Sequence, residues 1–122
     1  MKDDRLYLLH IRECIDRVER YTLNGKNEFC LDTKTQDAVV RNLQTLAEST
    51  TRLTSEIKGK RAEVDWRSIA GFRNIVVHNY LQLDLDATWE IVSRDLPVLK
   101  AAVHALLTEI GPIPPPSAPP AK

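Results

Sequence analysis

Cysteine, glycine and long apolar runs are all in short supply in this chain. Its two cysteines, Cys14 and Cys30, have no partner cysteines or histidines at metal-ligand spacing. Neither a disulfide framework nor a zinc site is therefore indicated, and both are expected to be buried or idle thiols. Glycine occurs four times in 122 residues, and 43% hydrophobic with 28% charged residues is ordinary globular usage that excludes a fibrous or disordered chain. No segment approaches the roughly 18 consecutive apolar residues of a membrane span. The opening Met1-Lys2-Asp3-Asp4-Arg5 also lacks the apolar run of a signal peptide, so the expected location is the cytoplasm. Neither sign of charge dominates: 17 basic residues face 17 acidic ones, which removes any global electrostatic case for a nucleic-acid partner. Any such case has to be local.

What the chain does have is helical periodicity. Leu8, Ile11, Ile15 and Val18 recur at the spacing of one helix face, with Arg12, Glu13, Asp16, Glu19 and Arg20 mostly elsewhere around the cylinder. Asp3 or Asp4 is placed to cap this helix, and Asn24-Gly25 to end it in a left-handed turn followed by a short loop. A second stretch starts at Asp32-Thr33, carries Ala38, Val39, Leu43, Leu46, Ala47, Leu53 and Ile57, and stops at Gly59. The Ser and Thr cluster at 49–55 predicts a bend or fraying within it. A third helix is expected from an Asp65 cap through Ile69, Phe72, Ile75 and Val76. A fourth starts near Asp86 with Trp89, Val92, Leu96, Leu99, Val103, Leu106 and Ile110 facing inward. Pro97 predicts a kink in it, the alternative being a restart capped by Asp95.

Strand-like alternation and internal repeats are both absent. The expected fold is all-α, an antiparallel four-helix bundle with a kinked last helix, spanning residues 1–110. Six of the last twelve residues are proline, so 111–122 reads as an extended, solvated tail.

The chemistry is concentrated in Trp66 to Tyr80. Within it Arg73, Asn74, His78 and Tyr80 interrupt an otherwise apolar helix. At about 100° per residue, Tyr80 falls nearly above Arg73, and His78 lies one turn beyond Asn74 on an adjacent strip. Such a set suits phosphodiester chemistry. An imidazole with an ordinary pKa of about 6.5 moves protons on and off ribose oxygens near neutral pH, and a guanidinium fork binds a phosphate. Asn74 can orient either group, and Tyr80 can bond the phosphate or stack on a base. Spacing alone is equally served by plain packing, with Arg73 paired to a surface carboxylate, His78 half-buried and the Tyr80 hydroxyl in water.

The runs Gly71-Phe72-Arg73-Asn74 and Val77-His78-Asn79-Tyr80 resemble the R-x4-H-x-Y signature of HepT, the HEPN-domain toxin of HepT/MntA (type VII) toxin–antitoxin systems. The likeness extends to Gln36-Asp37-Ala38-Val39-Val40-Arg41, to Trp66, and to Trp89 with Asp95-Leu96-Pro97, and so covers residues 4 to 110. It departs at Leu46-Ala47-Glu48-Ser49, where that family often carries a Gly-Glu-Ala turn. The resemblance implies a HEPN-like bundle and an RNA endonuclease that needs no metal or other cofactor. It also implies a homodimer in which two motif helices share one cleft. Arg73 and His78 would be the catalytic pair and Asn74 a supporting residue. Tyr80 would be the residue that a minimal nucleotidyltransferase antitoxin of the MntA kind silences by attaching AMP. A non-catalytic nucleotide-binding subunit of such a pair, or a helical interaction module, are the competing readings.

Three further features carry less. Between residues 52 and 73, Arg52, Lys58, Lys60, Arg61, Arg67 and Arg73 outnumber Glu56, Glu63 and Asp65, a local positive patch that either guides phosphate or is simply solvated. His10 and Cys14 share a helix face but are too few to hold a metal. His104 reads as a packed or surface residue.

Overall fold

The computed structural model describes residues 2–74 and 84–111. Helix α1 (Lys2–Tyr21) buries Leu8, Ile11, Cys14, Ile15 and Val18 along one stripe, as the periodicity requires. Burial pushes the Cys14 thiol above its ordinary pKa, and both cysteines are free. The chain then turns through Gly25, whose φ of +91° is open to glycine at little cost. Where a loop was expected, a short helix α2 (Gly25–Leu31) forms and buries Phe29.

Helix α3 (Thr33–Thr51) starts where expected, and Asp32 caps it by accepting bonds from the backbone N–H groups of Lys34 and Thr35. The Gln36 side chain reaches back to donate to the carbonyls of Phe29 and Cys30, which satisfies acceptors left over at the end of α2. Val39, Leu43, Leu46 and Ala47 pack α3 against α1, the most extensive helix pairing in the described residues.

The Ser/Thr cluster divides the second predicted stretch in two. After Thr51 the chain breaks at Arg52 to Thr54 and resumes as α4 (Ser55–Gly59), capped by the Thr54 hydroxyl. Asp4, one of the two residues placed to cap α1, also acts at long range. It is buried, and accepts bonds from both the backbone N–H (2.8 Å) and the hydroxyl (2.7 Å) of Thr54, pinning the start of α4 to α1. That contact spans fifty residues of sequence, so no local pattern announces it.

Helix α5 (Trp66–Ala70) follows, and residues 72–74 are helical again. The last stretch opens as α6 (Leu85–Glu90), one residue before the expected Asp86, because Asp84 supplies the cap to Ala87. Asp86 instead forms an ion pair with Lys26 at 2.9 Å. A π-helical turn, Ile91–Asp95, leads directly into α7 (Leu96–Ile110). Pro97 has no N–H to offer and crowds the carbonyl four residues earlier, and the wider turn just upstream takes up that misfit. Leu96 N–H bonds back to Ile91, so the helical chain runs on without a restart, and the Asp95 side chain makes no cap bond.

Leu96, Leu99, Ala102, Val103 and Leu106 are buried in α7, which packs mainly on α1. Trp89, Val92 and Ile110 lie half-buried against that core, and the Trp89 ring meets Phe29 at a centroid distance of 5.4 Å. The fold is all-α among the described residues, as expected, with the four predicted stretches subdivided. No helix among them is long and apolar enough to cross a membrane. The proline-rich segment beyond Gly111 lies outside the described residues.

Candidate active site

The entry to the Arg73 segment is fixed from three directions. Asp65 caps α5, accepting from Ser68 N–H (3.1 Å) and its hydroxyl (3.0 Å), and these bonds hold the Asp65 carboxyl below the usual carboxylate range. The Trp66 indole N–H lies 3.1 Å from the carbonyls of both Lys58 and Arg61, tying α5 to the end of α4. Ile69 and Phe72 are buried in the core. At about 100° per residue, anchoring Phe72 inward turns the next two side chains out. Arg73 and Asn74 are accordingly both exposed.

Arg73 is engaged through Nη1 with Glu48 Oε1 at 2.7 Å. Glu48 stands in the last turn of α3, and its other oxygen, Oε2, lies 3.4 Å from Nη2 of Arg52. One carboxylate therefore sits between two guanidiniums, one of them the predicted catalytic arginine. Sequence reasoning did not place Glu48 in the site. It stood in the stretch that departs from the family pattern, and nothing local signals a contact made across twenty-five residues.

The floor under Glu48 is rigid. Its neighbours Ala47 and Ser49 are buried, and Ser49 Oγ lies 2.7 Å from Nδ1 of His10 on α1. His10 is thereby accounted for by packing, and His104 is exposed.

His78 and Tyr80, the other two predicted site residues, lie outside the described residues, as do their expected alignments with Asn74 and Arg73. The basic patch is partly neutralised. Lys60 (3.6 Å) and Arg61 (3.3 Å) both pair with Glu109 at the end of α7, and Arg61 also meets Glu63. Lys58 and Arg67 have no ion-pair partner among the described residues. No three His, Cys, Asp or Glu side chains among the described residues gather where they would hold a metal ion.

A helical chain that presents an exposed Arg-Asn pair at the head of an R-x4-H-x-Y run belongs to the HEPN class, and comparison with known proteins places it within that class. Residues 11–106 match the ribonuclease HepT-like family, and the chain belongs to it: it is a ribonuclease by family. Among curated relatives, it is 34% identical over 110 residues to "Gamma-glutamylcyclotransferase and putative RNase" of Methanocaldococcus jannaschii, covering 89% of this chain and 50% of that protein. It is 33% identical over 101 residues to "Probable ribonuclease HepT" of Thermococcus cleftensis, covering 82% of this chain and 92% of the relative. It is 32% identical over 108 residues to "Putative RNase" of Caldanaerobacter subterraneus subsp. tengcongensis, covering 88% and 96%. The chain thus spans half the length of the first relative and nearly all of the other two. No solved structure matches it.

Proposed function

We propose that this chain is the toxin of a HepT/MntA-type toxin–antitoxin system, a metal-independent RNA endonuclease that works in the cytoplasm as a homodimer. The observation that carries the reading is the family match across residues 11–106, which contains the whole R-x4-H-x-Y run from Arg73 to Tyr80. The outward placement of Arg73 and Asn74, opposite buried Ile69 and Phe72, supports it.

In this reading the ribose 2′-oxygen attacks the adjacent phosphorus while His78 takes its proton. The bond to the 5′-oxygen breaks, that oxygen takes back a proton from the imidazolium, and the products are a 2′,3′-cyclic phosphate and a 5′-hydroxyl. Arg73 holds the non-bridging oxygens and offsets the charge that builds on them in the transition state. Asn74 orients the phosphate, and Tyr80 bonds it or stacks on a neighbouring base.

Tyr80 is also the regulatory point. A partner nucleotidyltransferase attaches AMP to its hydroxyl, and the added phosphate competes with RNA for Arg73 while the nucleoside blocks the cleft. The test is expression of the chain with and without that partner. Growth should arrest only without it, and mass spectrometry should find AMP on Tyr80 only with it. Absence of arrest from an unmodified chain would favour the nucleotide-binding reading instead.

A further inference from the structure

We propose that Glu48 is a positioning residue of the ribonuclease site, whose carboxylate holds the Arg73 guanidinium in the orientation that meets the phosphate. The inference rests on the role given to Arg73 above. Among the described residues, the guanidinium is engaged only through Nη1, at 2.7 Å from Oε1 of Glu48. An arginine carries five N–H donors in a planar fork, so a single anchor at Nη1 restricts where the fork can lie and leaves the remaining donors for other acceptors.

The anchor is well founded at both ends. Glu48 rises from a helix turn whose neighbours Ala47 and Ser49 are buried, with Ser49 bonded across to α1. Arg73 follows directly on buried Phe72. Two fixed backbones joined by one short bond restrict a long side chain that would otherwise sample many rotamers, which is what a pre-organised catalytic group requires.

Stability alone is a poor account of this carboxylate. Both partners are about half exposed, at 50% and 46%, where an ion pair adds little. Glu48 also stands in the last turn of α3, where the helix's free carbonyls disfavour a negative charge. Arg52, on the opposite oxygen at 3.4 Å, offsets that cost and leaves two guanidiniums against one carboxylate. The cluster therefore keeps a net positive charge and still attracts phosphate.

The positioning role has a kinetic signature that a plain surface pair lacks. Removing Glu48 frees Arg73 from a competing anion, so RNA binds as well or better, while orientation is lost. The experiment is steady-state cleavage of a defined RNA by the wild-type chain and by the Glu48→Ala, Glu48→Gln and Arg73→Ala variants, with melting curves to establish that each is folded. In Glu48→Ala, kcat should fall between about ten- and a hundredfold, with KM unchanged or lower. Glu48→Gln, whose amide oxygen still accepts from Nη1, should recover part of that loss. An active wild type, an inactive Arg73→Ala and an unchanged kcat in Glu48→Ala would overturn the positioning role alone. A wild-type chain that cleaves nothing would overturn the ribonuclease reading and this inference with it.

Discussion

The indole of Trp66 and the carbonyl of Lys58 meet at 3.1 Å across the gap between two short helices, and the same N–H reaches Arg61. Through this one donor the direction in which α5 leaves α4 is set, and with it the direction of Arg73.

Trp66→Phe keeps most of the ring but removes the N–H, leaving two carbonyls to find water. It should cost about 1–3 kcal/mol, the range for orphaning part-buried polar groups. Cleavage should fall more than the loss of folded protein explains, because the Arg73 segment loses its fixed entry. Urea unfolding beside single-turnover cleavage separates the two effects, and an unchanged midpoint would remove Trp66 from this role.

Phe72 and Arg73 should separate stability from activity at adjacent positions. Phe72→Ala empties a core site and should cost about 3–5 kcal/mol. Arg73→Ala removes an exposed side chain and one half-exposed ion pair, so its stability should change by no more than about 1 kcal/mol while cleavage is lost. Thermal melts and RNA cleavage on the same preparations check both halves. A strongly destabilised Arg73→Ala would mean that the side chain serves the fold.

Asp95 should weaken the fold at neutral pH. Burial pushes its carboxyl above the usual carboxylate range, the nearby Arg94 opposing that shift only in part. A raised carboxyl binds its proton more tightly folded than unfolded, so stability falls as pH rises through that range. The penalty is complete above the folded pKa and absent below the unfolded one, about 3.9. Asp95→Asn should therefore raise the melting temperature at pH 7 and make no difference near pH 3. The gain should be within about 0.5 kcal/mol, since the residue is exposed and solvent screens it. A loss of stability at pH 7 would contradict the sign.

The parts of the fold legible in the sequence are those set by neighbours along the chain. Leu8, Ile11, Ile15 and Val18 declare one buried stripe by spacing alone, and Asp32 and Asp65 stand where a helix start needs an acceptor. The illegible parts depend on distant partners or on short segments. Helix α2 has two turns and one fully buried side chain, too little for a periodic signal, and is held by Phe29 against Trp89 and by Gln36 from the next helix. Asp4 reads locally as a cap, and its bonds to Thr54, fifty residues on, leave no local signal. Pro97 forecasts a disturbance without saying that a π-helical turn upstream would absorb it. In the candidate site, Arg73 and Asn74 stand out through their place in a known motif, and their exposure follows from buried Phe72 beside them. Glu48 was not, because a contact between the end of one helix and the start of another leaves no trace in the spacing of either.

The proposed function stands on RNA cleavage by His78 and Arg73. Its most direct test is incubation of the purified chain with total cellular RNA in EDTA, beside its His78→Ala variant, with the product ends analysed. The wild-type chain should cleave and leave 2′,3′-cyclic phosphate ends, and the variant should lose at least about a hundredfold in rate, as removal of a general acid–base group entails. Equal cleavage by both proteins, or none by a wild-type chain whose Tyr80 is confirmed unmodified, would contradict it.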